Sequence, residues 1–156
     1  MQRAPTYDNV MSAKIISINI SPKKGMRKKA VDSALLKDNY GIENDAHASG
    51  KWHRQVSLLA TESIKKMQDK GLDVGPGDFA ENLTTEGIDL PALPVGTKMT
   101  VDEGIELEVT QIGKVCHNRC AIYEQAGDCV MPKEGIFVKV IKGGTIKVGD
   151  EIKVIR

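Results

Sequence analysis

The sequence predicts a mostly β protein, a small closed β-barrel with one or two short helices. Many short segments of strand-like residues follow one another at close spacing, and Gly, Pro, Asn and Asp separate them. A clear helical pattern occurs at residues 62–70. Short strands at this spacing with little helix are typical of a sheet that closes on itself, because closure removes exposed strand edges.

The composition bounds the class of protein. A chain of 156 residues, 40% of them hydrophobic, suits one domain with an adequate core. We assign residues 13–156 to that domain and residues 1–12 to a loose N-terminal tail without a signal-peptide core. The net charge of +1 gives no argument for nucleic acid or a membrane surface as partner. Three cysteines cannot all pair internally, so we expect reduced thiols and a cytoplasmic location.

The first strand is predicted at residues 13–20, which are rich in isoleucine and alternate in part. The most basic segment follows at residues 21–29. Its cations are Lys23, Lys24, Arg27, Lys28 and Lys29. Charge alone favours a solvated loop here. The functional alternative is a clamp for a phosphate-bearing ligand.

A loop that begins at Gly41 and runs to residue 54 is a second place where we expect a site. It contains His47, Lys51, His53 and Arg54, together with the only tryptophan of the chain. Loops that flanking strands position often carry binding residues. The two histidines are a weak indication of a metal, because no third ligand follows at a helical spacing.

The middle of the chain contains the main predicted helix. Residues 55–59 are expected to form a buried strand. Thr61 is expected to cap a helix at residues 62–70, with Ile64 and Met67 facing inward and Gly71 ending it.

An acid and an amide, Glu81 and Asn82, then stand among apolar residues. Either they hold a turn through hydrogen bonds or they contact a ligand.

The last strands are predicted to form hairpins. Residues 102–104 join two alternating strands, the second of which covers residues 105–112. A final hairpin is expected between residues 135–141 and 151–155, with its turn at residues 142–144.

The stretch at residues 114–129 holds all three cysteines. Alternation stops before it, and residues 119–126 are tolerable helix formers, so we expect Cys120 where a strand gives way to a short helix. Helix N–H groups, with Arg119 and Lys114, favour its thiolate. Two alternatives stay open, since the cysteines could pack in the interior or hold zinc. The zinc ligands would be Cys116, His117, Cys120 and Cys129.

Three segments in this order resemble the MOSC domain, a family named for the C-terminal part of eukaryotic molybdenum-cofactor sulfurases. They are residues 41–59 with Asp45-Ala46-His47 and Arg54-Gln55-Val56-Ser57, residues 77–83 with Gly77-Asp78-Phe79-Ala80-Glu81-Asn82-Leu83, and residues 116–128. The resemblance covers residues 13–155 and implies a β-barrel. It also implies a role with the molybdenum cofactor, a pterin dithiolene that carries a phosphate.

The resemblance implies roles for particular residues. The hallmark cysteine of the family matches Cys120, which follows Arg119; in relatives this cysteine is thought to carry a persulfide sulfur or to coordinate molybdenum. Cys120 is therefore the expected catalytic residue and, if the cofactor is bound, the expected molybdenum ligand. The residues expected to bind the cofactor are Arg54, Lys23, Lys24, Arg27, Lys51, His47, Asn82 and Arg119.

Three functions compete at this stage. In the first, Cys120 holds sulfur as a persulfide and passes it to molybdenum, with a separate cysteine desulfurase as donor and a molybdoenzyme as acceptor. In the second, the protein is a molybdenum enzyme in which Cys120 ligates the metal and N-hydroxylated compounds are reduced. The third is a hydrolase with a cysteine nucleophile and His117 or His47 as base, for which the sequence shows no positioned base and no oxyanion hole.

Overall fold

The computed structural model describes residues 11–23, 28–113 and 131–155. Strands make up 46% of the described residues, which contain a single helix of seven or more residues, so the fold is mostly β as predicted. The strands are β1 (Ser12–Ile20), β2 (Lys29–Val31), β3 (Ser33–Lys37), β4 (Gly41–Ile42), β5 (Val56–Ala60), β6 (Leu83–Glu86), β7 (Lys98–Val101), β8 (Ile105–Ile112), β9 (Ile136–Lys142), β10 (Gly144–Lys147) and β11 (Glu151–Ile155). The helices are α1 (Thr61–Asp69) and α2 (Met131–Glu134), with a 3-10 turn at Leu90–Ala92.

Seven of these strands close into a barrel, which confirms the predicted architecture. Around the barrel the order is β1, β11, β7, β8, β9, β5 and β6, and β6 then pairs with β1. The closing contact between the first and last strands pairs Ser12 with Lys153 and Ala13 with Ile152. β5 and β6 are parallel neighbours. The helix α1 lies between them in the chain because parallel neighbours need a crossover connection.

Alternating side chains fill the barrel. On β8, Ile105, Leu107 and Val109 are buried, and the residues between them are partly exposed. The predicted hairpin before β8 is confirmed, since Val101 pairs with Ile105 across the turn at residues 102–104. The period of two therefore places one face of the strand in the core and the other towards solvent.

The strand β5 is buried on both faces because α1 covers its outer side. Val56 and Leu58 belong to the barrel core. Leu59 packs outside the barrel with Ile64 and Met67 of α1, the two residues predicted to face inward. A strand that is sandwiched in this way needs apolar residues at consecutive positions, as this segment of the sequence has.

The predicted cap of α1 is wrong at its N-terminus. Ala60 occupies the cap position with extended backbone angles, and no side chain bonds to the first turn. Thr61 is already helical, because β5 runs into α1 without a linker. At the other end Gly71 has a φ of 92° and its N–H donates to the carbonyl of Gln68, so the prediction of a glycine stop is confirmed.

The predicted final hairpin is also wrong. After β9 the chain enters β10, which leaves the barrel and pairs with β3 in a second sheet of order β10, β3, β4. A Cβ at Gly143 would overlap the backbone carbonyl of Leu36, so glycine allows the chain to cross β3 closely. The strand β11 then returns to the barrel between β1 and β7. Within the described residues, no helix is long and apolar enough to cross a membrane.

Leu58→Ala is expected to lower the free energy of unfolding by about 2–5 kcal/mol, because it leaves a cavity in the barrel core. Leu58 is 0% exposed, whereas Leu35 on β3 is 40% exposed. The matched control Leu35→Ala should change the stability by no more than about 0.5 kcal/mol. Urea unfolding followed by tryptophan fluorescence measures both variants. Equal losses would contradict the assignment of β5 to the core.

Candidate functional site

Part of the predicted site lies outside the described residues. The cofactor-binding candidates in that part are Lys24, Arg27 and Arg119, and the expected catalytic residue there is Cys120. The other zinc candidates, Cys116, His117 and Cys129, also lie outside the described residues. The helix expected at residues 119–126 lies outside as well. The structure does describe the candidates Lys23, His47, Lys51, Arg54 and Asn82.

A buried ion pair forms the centre of the described site. Lys28 immediately precedes β2, and Asp45 follows β4 in the glycine-bracketed loop. The Lys28 Nζ lies 2.6 Å from Asp45 Oδ1, and both side chains are 0% exposed. The same Nζ lies 3.0 Å from Nδ1 of His47, whose side chain is 35% exposed. The ion pair therefore joins the segment before β2 to the loop after β4, and it contacts a histidine that reaches the surface.

Backbone groups complete the coordination of the Asp45 carboxylate. Oδ1 accepts a hydrogen bond from Ser21 N at 3.1 Å, and Oδ2 accepts one from His47 N at 3.1 Å. Burial acts to raise the pKa of Asp45, but the hydrogen bond and the charge of Lys28, with the two N–H groups, outweigh it and lower that pKa. Asp45 is therefore held as a carboxylate.

Lys28 is the functional candidate that the sequence analysis missed. It stands in the basic segment together with Lys23, but only Lys23 and other neighbours were chosen as ligand-binding residues. A lysine that is buried against an aspartate looks the same in sequence as a solvated one, because the pairing joins positions 17 residues apart. The one available signal was the apolar pair Ala30-Val31 just after it, which indicates an adjoining strand.

Asn82 is fully buried and bridges two barrel strands. Its Nδ2 donates to the carbonyl of Asn19 on β1 at 3.1 Å, and its Oδ1 accepts from Ser57 N on β5 at 3.0 Å. These contacts give the Asn82 amide a structural use, because they join two strands of the barrel. Contact between Asn82 and a cofactor stays a prediction.

Glu81, beside it, is a buried carboxyl group with 0% exposure. Its Oε2 accepts hydrogen bonds from Gly77 N at 2.9 Å and Thr84 Oγ1 at 2.6 Å, and its Oε1 accepts from Phe79 N at 3.3 Å. Burial raises the pKa of Glu81, although these donors oppose the change. Folding therefore favours its protonated form, and the stability gained in this way is lost as the pH rises through the raised pKa.

The turn that Glu81 holds packs directly against the residue that carries the ion pair. Gly77 has a φ of +88°, and a Cβ there would lie 3.0 Å from the Lys28 carbonyl oxygen and 3.3 Å from Cγ of Asn19. A side chain at this position would displace the backbone of Lys28. The polar cluster around Glu81 therefore supports the position of Lys28.

Arg54 lies in a second cluster that contains aromatic side chains. Its guanidinium carbon is 4.0 Å from the centre of the Trp52 ring and 5.3 Å from that of Phe137. His53 Nε2 lies 2.7 Å from Oε1 of Gln111. The Gln111 amide donates in turn to the carbonyl of residue 113, the last described residue before the cysteine-bearing stretch. Arg54 is thus a partly exposed cation with a defined orientation.

The two predicted lysines within the described residues are both exposed. Lys23 adjoins the ion pair, because its carbonyl accepts a hydrogen bond from Ser21 Oγ at 3.2 Å. The backbone N–H of Lys51 donates to Ser49 Oγ at 3.1 Å. An open depression lies on the Asp45 side of the cluster and is lined by Pro22, Lys37, Tyr40, Glu43, Asn44 and Asp45.

The described residues contain no group of three or more His, Cys, Asp and Glu side chains that could hold a metal ion. The predicted molybdenum ligand, Cys120, lies outside them. Within the described part, the site offers exposed and partly exposed cations and an imidazole. This chemistry suits an anionic ligand.

Asp45→Asn is expected to lower the free energy of unfolding by about 3–5 kcal/mol at neutral pH, because it leaves the buried Lys28 without a counter-charge. The pKa of Asp45 is lowered by folding, so its contribution is present above the ordinary aspartate pKa and is lost as the pH falls through the folded value. The variant should therefore lose less stability on acidification than the wild type. Chemical unfolding across the acid range measures both effects.

The matched control is Asp69→Asn, which breaks the exposed ion pair between Lys65 and Asp69 on α1. The side chain of Lys65 is 71% exposed and that of Asp69 is 66% exposed. It should cost no more than about 1 kcal/mol. A similar loss in the free energy of unfolding for both variants would show that burial does not make the Lys28–Asp45 pair more important for stability than an exposed pair.

Comparison with solved structures shows the same fold in bacterial proteins. The YuaD protein from Bacillus subtilis is 20% identical with a TM-score of 0.77, over 93% of this chain and 96% of that one. YiiM from Geobacillus stearothermophilus is 19% identical with a TM-score of 0.68, over 92% and 75% of the two chains. YiiM from Escherichia coli is 18% identical with a TM-score of 0.67, over 94% and 70%. Among curated proteins, none matches the sequence significantly.

The family comparison agrees with the barrel and with the segments that carry the site. The profile of the MOSC domain matches residues 45–153, which begin at the buried aspartate and end in the last strand. This match spans more than half of the chain, and the chain therefore belongs to the MOSC domain family.

Proposed function

We propose that this protein binds the molybdenum cofactor and carries sulfur on the thiolate of Cys120 as a persulfide. The observation that carries the proposal is the buried Lys28–Asp45 pair. It contacts the half-exposed His47, which lies inside the segment that the family profile matches. A fully desolvated ion pair is costly to keep. Its presence next to a surface imidazole supports a preorganised polar site.

The donor chemistry of the described residues fits the phosphate of the pterin. The Lys28–Asp45 pair is neutral as a unit, so a net attraction for an anion has to come from other cations. Lys23 and Lys51 are exposed, and Arg54 is partly exposed. A guanidinium offers a planar fork that matches phosphate oxygens. We include Lys24, Arg27 and Arg119 in this binding set on the basis of the sequence.

The sulfur chemistry would take place at Cys120. Its thiolate attacks the terminal sulfur of a persulfide on a cysteine desulfurase, a new S–S bond forms at Cys120, and the donor leaves as a thiolate. This exchange is balanced without an added oxidant or reductant. When bound, the cofactor would supply the molybdenum centre that receives this sulfur for a molybdoenzyme in the cytoplasm.

The direct test is production of the protein in a host that makes the cofactor, followed by molybdenum analysis and pterin fluorescence. Pterin recovered with the protein, together with sulfide released from it by a reducing agent, would support the proposal. Stable molybdenum at one ion per chain with no releasable sulfur would favour the alternative, a reductase of N-hydroxylated compounds in which Cys120 ligates the metal. Absence of both pterin and persulfide would overturn both functions.

Cys120→Ser is expected to abolish the fast-reacting thiol and persulfide loading, because we assign the reactive thiolate to this position. Alkylation rate measured against pH detects the loss. The matched controls are Cys116→Ser and Cys129→Ser, which should retain the fast phase. If the fast phase and the loading survive in Cys120→Ser, the assignment of Cys120 fails.

Arg54→Ala is expected to weaken retention of the pterin by about 10- to 100-fold, as loss of a charge-assisted hydrogen bond costs about 1.5–3 kcal/mol. Pterin fluorescence of the purified protein after dialysis measures it. Lys65→Ala removes an exposed cation on α1 and serves as the control. Equal retention in Arg54→Ala and the wild type would remove Arg54 from the site.

A further inference from the structure

The guanidinium group of Arg54 has aromatic neighbours but no acceptor among the described residues. Its carbon lies 4.0 Å from the centre of the Trp52 ring and 5.3 Å from that of Phe137. Contact with an aromatic ring uses the face of a guanidinium and leaves the N–H groups at its edge able to donate. Because Arg54 is only partly exposed, its charge is partly removed from water, and no carboxylate of the described residues compensates it. A cation in this setting favours an anionic ligand.

Trp52 brings a histidine next to this cation. Its Nε1 donates to the carbonyl of Arg54 at 3.0 Å, and its ring centre lies 5.9 Å from that of the His53 ring. The carbonyl of His53 accepts a hydrogen bond from Thr110 Oγ1 on β8. The barrel therefore holds an exposed imidazole and a partly exposed guanidinium beside the same indole ring.

The contacts of Gln111 determine which nitrogen of His53 donates. A backbone carbonyl can only accept, so the Gln111 amide presents its nitrogen to the carbonyl of Gly113 at 2.7 Å. Its oxygen then faces Nε2 of His53, also at 2.7 Å, and an amide oxygen can only accept. Nε2 of His53 therefore carries a hydrogen. In the neutral ring Nδ1 is left with a lone pair, and none of the described residues bonds to it.

We infer that His53 and Arg54 form a site for an oxyanion that carries its own hydrogen, such as hydrogen phosphate. Arg54 donates to the oxygens of the ligand, and Nδ1 of His53 accepts from its O–H group. Gln111 is a positioning residue that keeps Nδ1 an acceptor. The site stands on contacts among the described residues. Only the identification of the ligand as the phosphate of the cofactor rests on the proposed function.

A donor and an acceptor side by side discriminate between anions of similar size and shape. Sulfate and hydrogen phosphate are both tetrahedral, but sulfate carries no hydrogen near neutral pH. With sulfate bound, the lone pair of His53 Nδ1 would face an oxygen lone pair. The site therefore favours hydrogen phosphate, or a phosphate monoester in its singly protonated form, over sulfate.

The test begins with nitrogen NMR of the full chain with ¹⁵N-labelled histidine, produced in a host that does not make the cofactor. The chain has three histidines, and the signal that is missing from His53→Phe identifies His53. At a pH at which the spectrum shows a neutral ring, we expect a protonated Nε2 and an unprotonated Nδ1. A hydrogen on Nδ1 of the neutral ring would overturn the inference.

Inorganic phosphate or sulfate is then added to the wild type at equal ionic strength and at the same pH. We expect phosphate to shift the His53 signals with saturation and to bind about tenfold more tightly than sulfate, as one added hydrogen bond provides. Equal affinity for the two anions, or no saturable shift with phosphate, would refute the site. These measurements do not depend on the folding of any variant.

Calorimetric titration of variants assigns the preference to residues. His53→Phe should bind both anions alike, and a retained preference for phosphate would exclude His53 as its source. Gln111→Leu should give a mixture of His53 tautomers and a smaller preference, and an unchanged tautomer would remove Gln111 as the cause. The matched control is Gln68→Leu on α1, which also removes an amide that donates to a backbone carbonyl and should keep the wild-type behaviour.

This inference and the proposed function fail in different ways. A preference for phosphate that depends on His53, without recovered pterin, would remove the molybdenum cofactor as ligand and leave this site intact. Recovered pterin with equal binding of phosphate and sulfate would leave the proposed function and remove this inference.

Discussion

The ion pair between Lys28 and Asp45 is the interaction on which the described site depends. Taking two charges out of water costs several kcal/mol per ion, and the attraction between them offsets this only when every other hydrogen-bonding group is satisfied. Ser21 and His47 supply these partners through their backbone and side-chain atoms. The pair therefore ties the end of β1, the start of β2 and the loop after β4 into one unit.

A second polar cluster holds that unit against the barrel. Glu81 accepts a hydrogen bond from the backbone N–H of Gly77 in the turn before it, and Asn82 joins β1 to β5. The turn at Gly77 approaches the backbone of Lys28 so closely that a Cβ would not be accommodated without a shift. Side chains that the sequence places in separate segments thus act together, since Asn19 on β1 donates to Thr84 Oγ1, which itself donates to Glu81. Such mutual support is what a preorganised site requires.

The barrel could be predicted from local pattern because the direction of a side chain along a strand depends on its own position. The alternation in β8 and the apolar run in β5 both reflect the surroundings that each strand has in the fold. The errors have a different origin. The segment after Lys142 was predicted to turn back on its own strand, but β10 pairs with β3, and no local signal encodes a partner that lies far away in the chain.

By itself, the sequence determined the mostly β class, the barrel strands, the helix with its glycine stop, and the loop that contains Asp45 and His47. Hydrophobic period and turn chemistry are properties of short segments, so they can be recognised without knowing the fold. Only the tertiary structure decided that Lys28, rather than an exposed neighbour, is the buried cation, and that the amide of Asn82 is used within the barrel. Burial and hydrogen-bond direction arise from contacts between distant residues, which exist only once the strands have paired.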